Sequence, residues 1–468
     1  MERKASSPMA PTFLVSAPGK VIVFGEHAAV HGQPAIAAAI SLRSYLLVNT
    51  LSKSRRTVRL SFRDIGLDHT WDIDTLPWAA FNQPGRRRIY SSPATSLDPV
   101  LLAAVKPHVE AAVSPRLSDR ERRMHTGSAT AFLYLFLSLG SRQSHPAIYT
   151  LRSTIPVGAG LGSSASVCVC LSTALLLQTR ALSGPHADHQ QQQPPEEAKM
   201  QIERVNAWAF VGELCIHGRR PSGVDNTVSA YGNATVFRRA HDGGGGGPPT
   251  ITPLSASFPK LPLLLVDTQQ PRSTAEQVER VRMLAEEQPT ITESILTTIG
   301  QLTTSALEVM SSSSFDSEDD MAIEGLGTLF RVNHGLLVSL GVSHPRLERV
   351  RELVDSAGIG WAKLTGAGGG GCAITLFRPT TKDEEMSVLE NTLHTEGFRV
   401  YKTILGANGV GVLWPAVFHH DSVGGKPGEE INQEKFEKAV GPEGVEQLVG
   451  VGVQEKRQGW KFWACTAV

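Results

Sequence analysis

The feature that most constrains this chain is a glycine- and serine-rich stretch at residues 156–166, PVGAGLGSSAS. It follows an alternating segment that predicts a strand at 148–153, and it precedes an apolar run that predicts a long helix at 167–182. Glycines allow a backbone to approach a ligand closely and to adopt positive φ. The N–H groups of such a loop, and of the helix after it, point at phosphate oxygens. The stretch therefore predicts an anion-binding loop.

The same loop also fits a plainer interpretation, a glycine turn whose helix is capped by Ser163 or Ser164. The chain lacks the GxxxxGK[ST] pattern of P-loop nucleotide-binding proteins. It also lacks a clean GxGxxG pattern followed about 20 residues later by an acidic residue, which marks dinucleotide-binding folds. The choice between a turn and a phosphate-binding loop therefore depends on the rest of the sequence.

Length and composition bound the class of protein. At 468 residues the chain is long enough for two domains that each have a hydrophobic core. Its 45 basic residues equal its 45 acidic residues, so no overall field attracts nucleic acid or an acidic membrane, and neither is expected as a partner. The five cysteines show no CxxC pair and no metal-ligand spacing, which is typical of buried thiols in a reducing compartment.

Targeting signals are not evident in the sequence. No apolar run is long enough to span a bilayer, and residues 1–11 lack the apolar region of a signal peptide. The last four residues, CTAV at 465–468, superficially match a prenylation motif, but the final residue is not a favoured one. We therefore expect a cytoplasmic protein without a membrane partner.

Three further segments accompany the glycine loop. Residues 17–32 read APGKVIVFGEHAAVHG, residues 217–226 read HGRRPSGVDN, and residues 363–372 read KLTGAGGGGC. Together with the glycine loop they resemble, in content and in order, the motifs of the GHMP small-molecule kinases, and most closely those of the members that phosphorylate mevalonate. The resemblance extends from about residue 13 to about residue 415, with one departure, since Arg219 and Arg220 stand where the family usually has one residue.

The resemblance implies an α+β fold of two domains with the active site in the cleft between them. Residues 12–240 would form an ATP-binding domain similar to domain 2 of ribosomal protein S5, and residues 251–415 would form a ferredoxin-like domain. The glycines within 241–250 predict a flexible connector, and the Gln- and Pro-rich stretch at 184–199 predicts a disordered insertion. Residues 416–468, rich in glycine and charge, are expected to be a C-terminal extension of low structure.

The resemblance also implies a nucleotide site. Phosphoryl transfer needs a phosphate-binding loop, a divalent cation, positive charge beside the transferring group and a group that handles the hydroxyl proton. The residues implied to bind ATP are Lys20, Asp64, Ser153, Gly158, Ala159, Gly160, Leu161, Gly162, Ser163 and Ser164. Among them Asp64 stands where family members often have asparagine.

The family's catalytic residues fall on Asp225, the expected base, and Lys20. A lysine beside an aspartate keeps the carboxylate ionised and stabilises charge on the transferring phosphoryl group. Since this makes Asp225 a weak base, we expect it to accept the proton late, after the P–O bond is partly broken. Mg²⁺ takes one or two protein oxygens together with substrate phosphates, and the resemblance places its ligands at Ser164 and Glu213.

The acceptor side of the site is implied at Glu26 and His27, which follow a strand where family members contact the acceptor. Thr274 would lie near the catalytic aspartate and the acceptor, although Ser273 or Thr274 would also suit a helix cap. The glycines at 366–371 are expected to pack their backbone against the phosphate-binding loop.

The activity implied by the resemblance is ATP-dependent phosphorylation of (R)-mevalonate to 5-phosphomevalonate, within isoprenoid and sterol synthesis. The resemblance also implies a homodimer that is inhibited by prenyl diphosphates competing with ATP. One alternative is a family member with another acceptor, such as phosphomevalonate, which would need more basic groups near Glu26 and His27. Another is a catalytically silent sensor on the kinase fold. The presence of all the catalytic and metal-binding candidates argues against that sensor.

Overall fold

The computed structural model describes residues 11–83, 96–185, 195–218, 221–239, 249–254, 258–420, 429–451 and 457–463. Most of the Gln- and Pro-rich stretch, most of the glycine connector and the two arginines at 219 and 220 lie outside these ranges. The proposed division of the chain between residues 240 and 251 therefore stays a prediction.

The strands lie in both halves of the chain. Those of the first half are β1 (Phe13–Phe24), β2 (Ala35–Thr50), β3 (Thr57–Phe62), β4 (Leu67–Asp72), β5 (Ala147–Ser153), β6 (Ala234–Arg238) and β7 (Thr250–Pro253). Those of the second half are β8 (Leu261–Asp267), β9 (Gly360–Leu364), β10 (Cys372–Phe377), β11 (Arg399–Leu405), β12 (Gly411–Leu413), β13 (Val417–His420), β14 (Glu429–Glu430), β15 (Arg457–Gln458) and β16 (Lys461–Phe462).

The helices cover the sheet. In the first half they are α1 (Trp78–Phe81), α2 (Pro99–Ala112), α3 (Asp119–Leu139), α4 (Ser163–Gln178), α5 (Pro195–His217) and α6 (Val224–Tyr231). In the second half they are α7 (Thr274–Glu287), α8 (Pro289–Ser311), α9 (Asp320–Ser339), α10 (Pro345–Ala357), α11 (Asp383–Thr395), α12 (Gln433–Lys438) and α13 (Gly441–Val449). The mixture of helices and strands confirms the α+β class.

One sheet runs through both halves of the chain. Its main path is β16-β12-β1-β2-β11-β8-β10-β9. The long strand β2 also pairs with β5 near its end and with β6 near its start. The halves pair at two places: β12 pairs with β1 through three pairs of partners, and β11 meets β2 through one pair, Leu405 and Ile40. The loop after β5 and the loop after β9, which come from different halves of the chain, line the same cavity.

The hydrophobic core follows this division. A large cluster packs α3, α4 and α5 against β1, β2, β3 and β5, and α4 is buried around most of its circumference because its sequence is continuously apolar. A second cluster joins the halves, where the rings of Phe24 and Phe330 meet edge to face with centroids 5.3 Å apart. A third cluster packs α10 and α11 against β8 to β10. The motif-bearing loops therefore project from elements that are anchored in packed cores.

The C-terminal segment differs from the low-structure extension that the sequence predicts. Between residues 416 and 463 the described part forms β13 to β16, α12 and α13. Its apolar side chains, among them Phe418 and Phe436, pack on Leu14, Tyr45 and Leu47 of β1 and β2. These few apolar residues are separated by glycines and charged residues in the sequence, so the overall composition does not reveal that they share one face.

None of the helices in the described ranges has both the length and the apolar character that crossing a bilayer requires.

The packing of the C-terminal segment yields a stability prediction. Phe436 is fully buried, so Phe436→Ala removes apolar contacts and leaves a cavity, which lowers the free energy of unfolding by about 3–5 kcal/mol. The control is Val440→Ala in the same segment, where the side chain is 84% exposed and the change stays within about 0.5 kcal/mol. Urea denaturation measures both. Equal stability of the two variants would show that the segment is not part of the folded core.

Candidate active site

The glycine loop has a regular alternation of backbone handedness. Gly158, Gly160 and Gly162 have φ of +83°, +79° and +75°, a region that L side chains rarely adopt. Gly162 is the N-cap of α4, and no side chain caps the helix. The capped-turn interpretation is therefore wrong. The helix starts at Ser163 with N–H groups that a side-chain cap does not occupy, as an anion site requires.

Strand β1 passes directly beneath this loop. The backbone N–H of Lys20 donates to the carbonyl of Leu161 at 2.8 Å. A Cβ at Gly19 would lie 2.7 Å from that same carbonyl oxygen, and one at Gly162 would lie 3.0 Å from Cγ of Lys20. Glycine at both positions is what lets the strand and the loop approach this closely.

The two expected catalytic residues form an ion pair beside the loop. Nζ of Lys20 lies 3.2 Å from Oδ1 of Asp225, with the lysine side chain 10% exposed and the aspartate 33% exposed. The same ammonium group donates to the carbonyl of Gly160 at 3.4 Å. Asp225 is placed in the first turn of α6 because Gly223, at φ +81°, is the helix N-cap. The pair thus joins β1, the glycine loop and α6 at one point.

Arg272 was not singled out by the sequence, yet it lies at the centre of the site. Its guanidinium donates to the carbonyls of Ala159 at 3.3 Å and Thr365 at 3.2 Å. A Cβ at Gly160 would lie 1.5 Å from one of its nitrogens. Burial lowers the pKa of Arg272, and the nearby Cys372, Asp267 and Asp225 oppose this shift, in decreasing order.

Arg272 also changes how the second glycine-rich segment is understood. The expectation was that residues 366–371 pack their backbone against the phosphate-binding loop. Instead the Arg272 side chain stands between them, since added Cβ atoms at Gly366 and Gly371 would lie 3.1 Å and 2.8 Å from its atoms. A lone arginine ahead of a helix has no local sequence signature, and only the two surrounding glycine segments could have drawn attention to it.

The two expected metal ligands lie on neighbouring helices and share a partner. Oγ of Ser164 is 3.3 Å from Nε2 of His217, and that nitrogen is 3.5 Å from Oε2 of Glu213. The thiol of Cys168 donates to the other Glu213 oxygen at 3.9 Å. Among the residues that the structure describes, no three acidic, histidine or cysteine side chains cluster to hold a metal ion. Two oxygen donors suit a cation that also takes substrate phosphates as ligands.

These groups line a cavity of about 810 Å³. Of the predicted residues, the wall includes Lys20, Glu26, His27, Gly158, Gly160, Leu161, Gly162, Ser163, Ser164, Glu213, Asp225 and Thr274. Ser273, not Thr274, caps the following helix, because its Oγ accepts from the backbone of Glu276 at 3.3 Å. Thr274 is therefore the first residue of α7 and faces the cavity.

His27 has an unusual backbone and a defined tautomer. Its φ is +62°, and its Nε2–H donates to the carbonyl of Ala367 at 2.8 Å. Burial lowers the pKa of His27, which favours the neutral ring. Nδ1 then carries a lone pair, and it has no hydrogen-bond partner among the described residues. That atom is itself buried, whereas other atoms of the residue line the cavity.

Three of the predicted residues, Asp64, Ser153 and the buried Ala159, lie outside the cavity lining. The carboxylate of Asp64 accepts from Nε of Arg152 at 3.0 Å and from the backbone N–H of Ser153 at 2.7 Å. Both of its oxygens therefore hold the end of β5. Phe62 and Ile65, on either side of Asp64, line the cavity instead. A nucleotide contact by Asp64 or Ser153 stays a prediction.

Comparison with known proteins supplies independent evidence. Residues 129–233 match the family described as the GHMP kinases N terminal domain, and residues 320–393 match the GHMP kinases C terminal family. These two stretches contain the glycine loop, Glu213, Asp225 and helix α9.

Similar curated proteins extend the match over the whole chain. The chain is 64% identical to the mevalonate kinase of Aspergillus fumigatus over 465 residues, which is 99% of this chain and 84% of that protein. It is 38% identical to the mevalonate kinase of Saccharomyces cerevisiae, over 86% of this chain and 90% of the yeast protein. It is 34% identical to the human mevalonate kinase, over 86% of this chain and 96% of the human protein.

Solved structures share the fold. The Methanococcus jannaschii mevalonate kinase gives a TM-score of 0.56 at 21% identity, covering 86% of this chain and 99% of that one. The L. major mevalonate kinase, solved in complex with R-mevalonate, gives a TM-score of 0.56 at 22% identity, covering 86% and 97%. With the family matches and the full-length relatives, these findings show that the chain belongs to the mevalonate kinases of the GHMP kinase family.

Proposed function

We propose that this chain transfers the terminal phosphate of ATP to (R)-mevalonate, forming 5-phosphomevalonate for isoprenoid and sterol synthesis. The observation that carries the reaction type is the Lys20–Asp225 pair, with 3.2 Å between its charged atoms, beside an uncapped helix N-terminus in one cavity. The acceptor is supported by relatives named mevalonate kinase at up to 64% identity.

The nucleotide phosphates would lie on the glycine loop. N–H groups of the loop and of the first turn of α4 would bind phosphate oxygens, and Lys20 would neutralise charge on the phosphoryl group as it moves. Asp225 would receive the proton of the acceptor hydroxyl. We expect this proton transfer to come late in the reaction, after the P–O bond is partly broken.

Mg²⁺ fits the oxygen donors of Ser164 and Glu213. The ion would supply charge neutralisation across the nucleotide phosphates. Glu213 is nearly fully buried at 4% side-chain exposure, and one of its oxygens accepts from the thiol of Cys168 at 3.9 Å. His217 lies between the two donors and orients them through its contacts at 3.3 Å and 3.5 Å.

The acceptor would lie toward His27 and Thr274. His27 and Thr274 line that part of the cavity, and the cationic Arg272 suits the carboxylate of mevalonate. The expected catalytic and metal-binding side chains line the same cavity, which argues against a silent sensor. From the family resemblance we also propose a cytoplasmic homodimer, nucleotide binding by Asp64 and Ser153, and inhibition by prenyl diphosphates, whose phosphates would compete for the glycine loop.

The proposal is tested by coupled ADP release with Mg-ATP and four acceptors: mevalonate, phosphomevalonate, homoserine and galactose. Turnover with mevalonate alone is the expected result. Turnover with phosphomevalonate and none with mevalonate would show that phosphomevalonate is the acceptor. Binding of ATP without turnover on any acceptor would support the silent sensor.

Removal of the catalytic charges should reduce turnover. Asp225→Asn keeps the size of the side chain but removes the proton acceptor, so kcat should fall about 10²- to 10⁴-fold while the KM for ATP changes little. Lys20→Met should reduce kcat similarly because it removes transition-state charge stabilisation. Steady-state kinetics measures both, with Asp74→Asn on the exposed surface as control. An Asp225→Asn enzyme as active as the parent would refute the role of Asp225.

The metal assignment predicts a change in cation requirement. Glu213→Gln removes an anionic ligand, so the Mg²⁺ concentration for half-maximal activity should rise about tenfold. Binding of Mn²⁺ in the presence of a non-hydrolysable ATP analogue, followed by electron paramagnetic resonance, should weaken in parallel. Glu203→Gln, on the exposed face of the same helix, is the matched control. Unchanged Mn²⁺ binding in the Glu213 variant would place the ion elsewhere.

A further inference from the structure

A buried polar cluster joins the two halves of the chain behind the cavity. It consists of Glu26, in the turn after β1, Asn333 on α9 and Lys363 on β9. The side chains of Glu26 and Lys363 are both 0% exposed, and the lysine ammonium contacts Oε1 of the glutamate. Asn333 donates through Nδ2 to Oε2 of Glu26 at 2.9 Å, and Lys363 donates also to the carbonyl of Leu364 at 2.8 Å.

The Glu26 carboxylate is not available to a substrate. Both of its oxygens are occupied from the second half of the chain, one by Lys363 and the other by Asn333. Burial raises the pKa of Glu26, and the adjacent charge of Lys363 opposes that shift. We expected Glu26 to contact the acceptor, but its carboxylate contacts Lys363 and Asn333 instead. The residue lies along the cavity wall, but its charged group points into the protein interior.

Lys363 is one of three residues, on β9 and in the turn that follows it, that contact the end of β1 or the turn after β1. Thr365 Oγ1 donates to the carbonyl of Ile22 at 2.7 Å and accepts from its N–H at 3.1 Å. The carbonyl of Ala367 accepts from His27 at 2.8 Å. Residues 363, 365 and 367 thus contact residues 26, 22 and 27 respectively, from strand β9 and from the turn after it, in which Gly366 has φ of +78°.

His27 is the residue in this turn that requires such support. A non-glycine residue at φ +62° is strained, and such strain persists only where the surrounding structure enforces it. His27 follows Glu26 directly, and a hydrogen bond of 2.7 Å from the N–H of Ala28 to the carbonyl of Glu26 closes the turn. Fixing the Glu26 side chain on one side and the His27 ring on the other determines the conformation between them.

We propose that Lys363 is a positioning residue for the acceptor. Acting through Glu26, it holds the strained turn that presents His27 to the cavity. This inference rests on the proposed function, since it assumes that the acceptor lies beside His27. Lys363 touches neither substrate, and its loss displaces the His27 ring while leaving the glycine loop and Lys20 in place.

The test separates acceptor binding from nucleotide binding. Lys363→Met should raise the KM for R-mevalonate about tenfold or more, because a small displacement of a positioning group has a large effect, while the KM for ATP stays within about twofold. Isothermal titration with R-mevalonate alone should show the same loss of affinity. Asn333→Leu removes one contact to Glu26 and keeps the ion pair, so its acceptor KM should rise less, about threefold.

The control is Arg349→Met, which removes a partly exposed ion pair with Glu396 in the same half of the chain and should change neither KM. A folded Lys363→Met enzyme with the parental acceptor KM would overturn the inference. If that variant does not fold, Asn333→Leu decides, and equal changes in both KM values, or none, would overturn it. A parent enzyme that does not phosphorylate mevalonate would instead refute the proposed function.

Discussion

The site depends on the close contact between strand β1 and the glycine loop. The hydrogen bond from Lys20 to Leu161, 2.8 Å long, fixes the height of the loop above the strand, and the glycines at 19 and 162 permit it. The lysine side chain then continues past the loop to reach Asp225. A side chain at either glycine would separate the glycine loop from Lys20, to which we assign the neutralisation of the transferred phosphate.

The cationic and anionic side chains of the cavity lie on different elements. Lys20 and Arg272 lie along the glycine loop. Glu213, on α5, is linked through His217 to Ser164 at the start of α4, and Asp225 pairs with Lys20. In the proposed reaction Lys20 would neutralise the phosphoryl group, Arg272 would bind the carboxylate of the acceptor, and the two carboxylates would hold a metal ion and receive a proton. A third carboxylate, Glu26, has a different role, because it is fully buried and its oxygens contact a lysine and an asparagine. Breaking a buried pair on one side typically costs about 3–5 kcal/mol, which makes this cluster a rigid junction between the halves of the chain.

Much of the fold and part of the site could be predicted from the sequence. The glycine loop, Lys20 and Asp225 stand in contiguous motifs whose residue types follow from phosphate chemistry, and the structure brings them together. Arg272 could not be found in this way, because its importance arises from two glycine segments far apart in sequence. Asp64 stands at a position that the family resemblance implies for the nucleotide, but its carboxylate pairs with Arg152 instead. These two residues are 88 positions apart, and the local sequence does not reveal such a pairing. The C-terminal segment was missed because its apolar face emerges only when short elements pack on β1 and β2.

The central claim is that Lys20 and Asp225 lie at the point of phosphoryl transfer. The most direct measurement is a crystal structure of the chain with Mg²⁺, a non-hydrolysable ATP analogue and R-mevalonate. The account predicts that the terminal phosphate lies against the glycine loop and contacts Lys20, and that the C5 hydroxyl lies within hydrogen-bonding distance of Asp225. An acceptor hydroxyl bound away from Asp225, or a terminal phosphate bound outside residues 158–164, would contradict it.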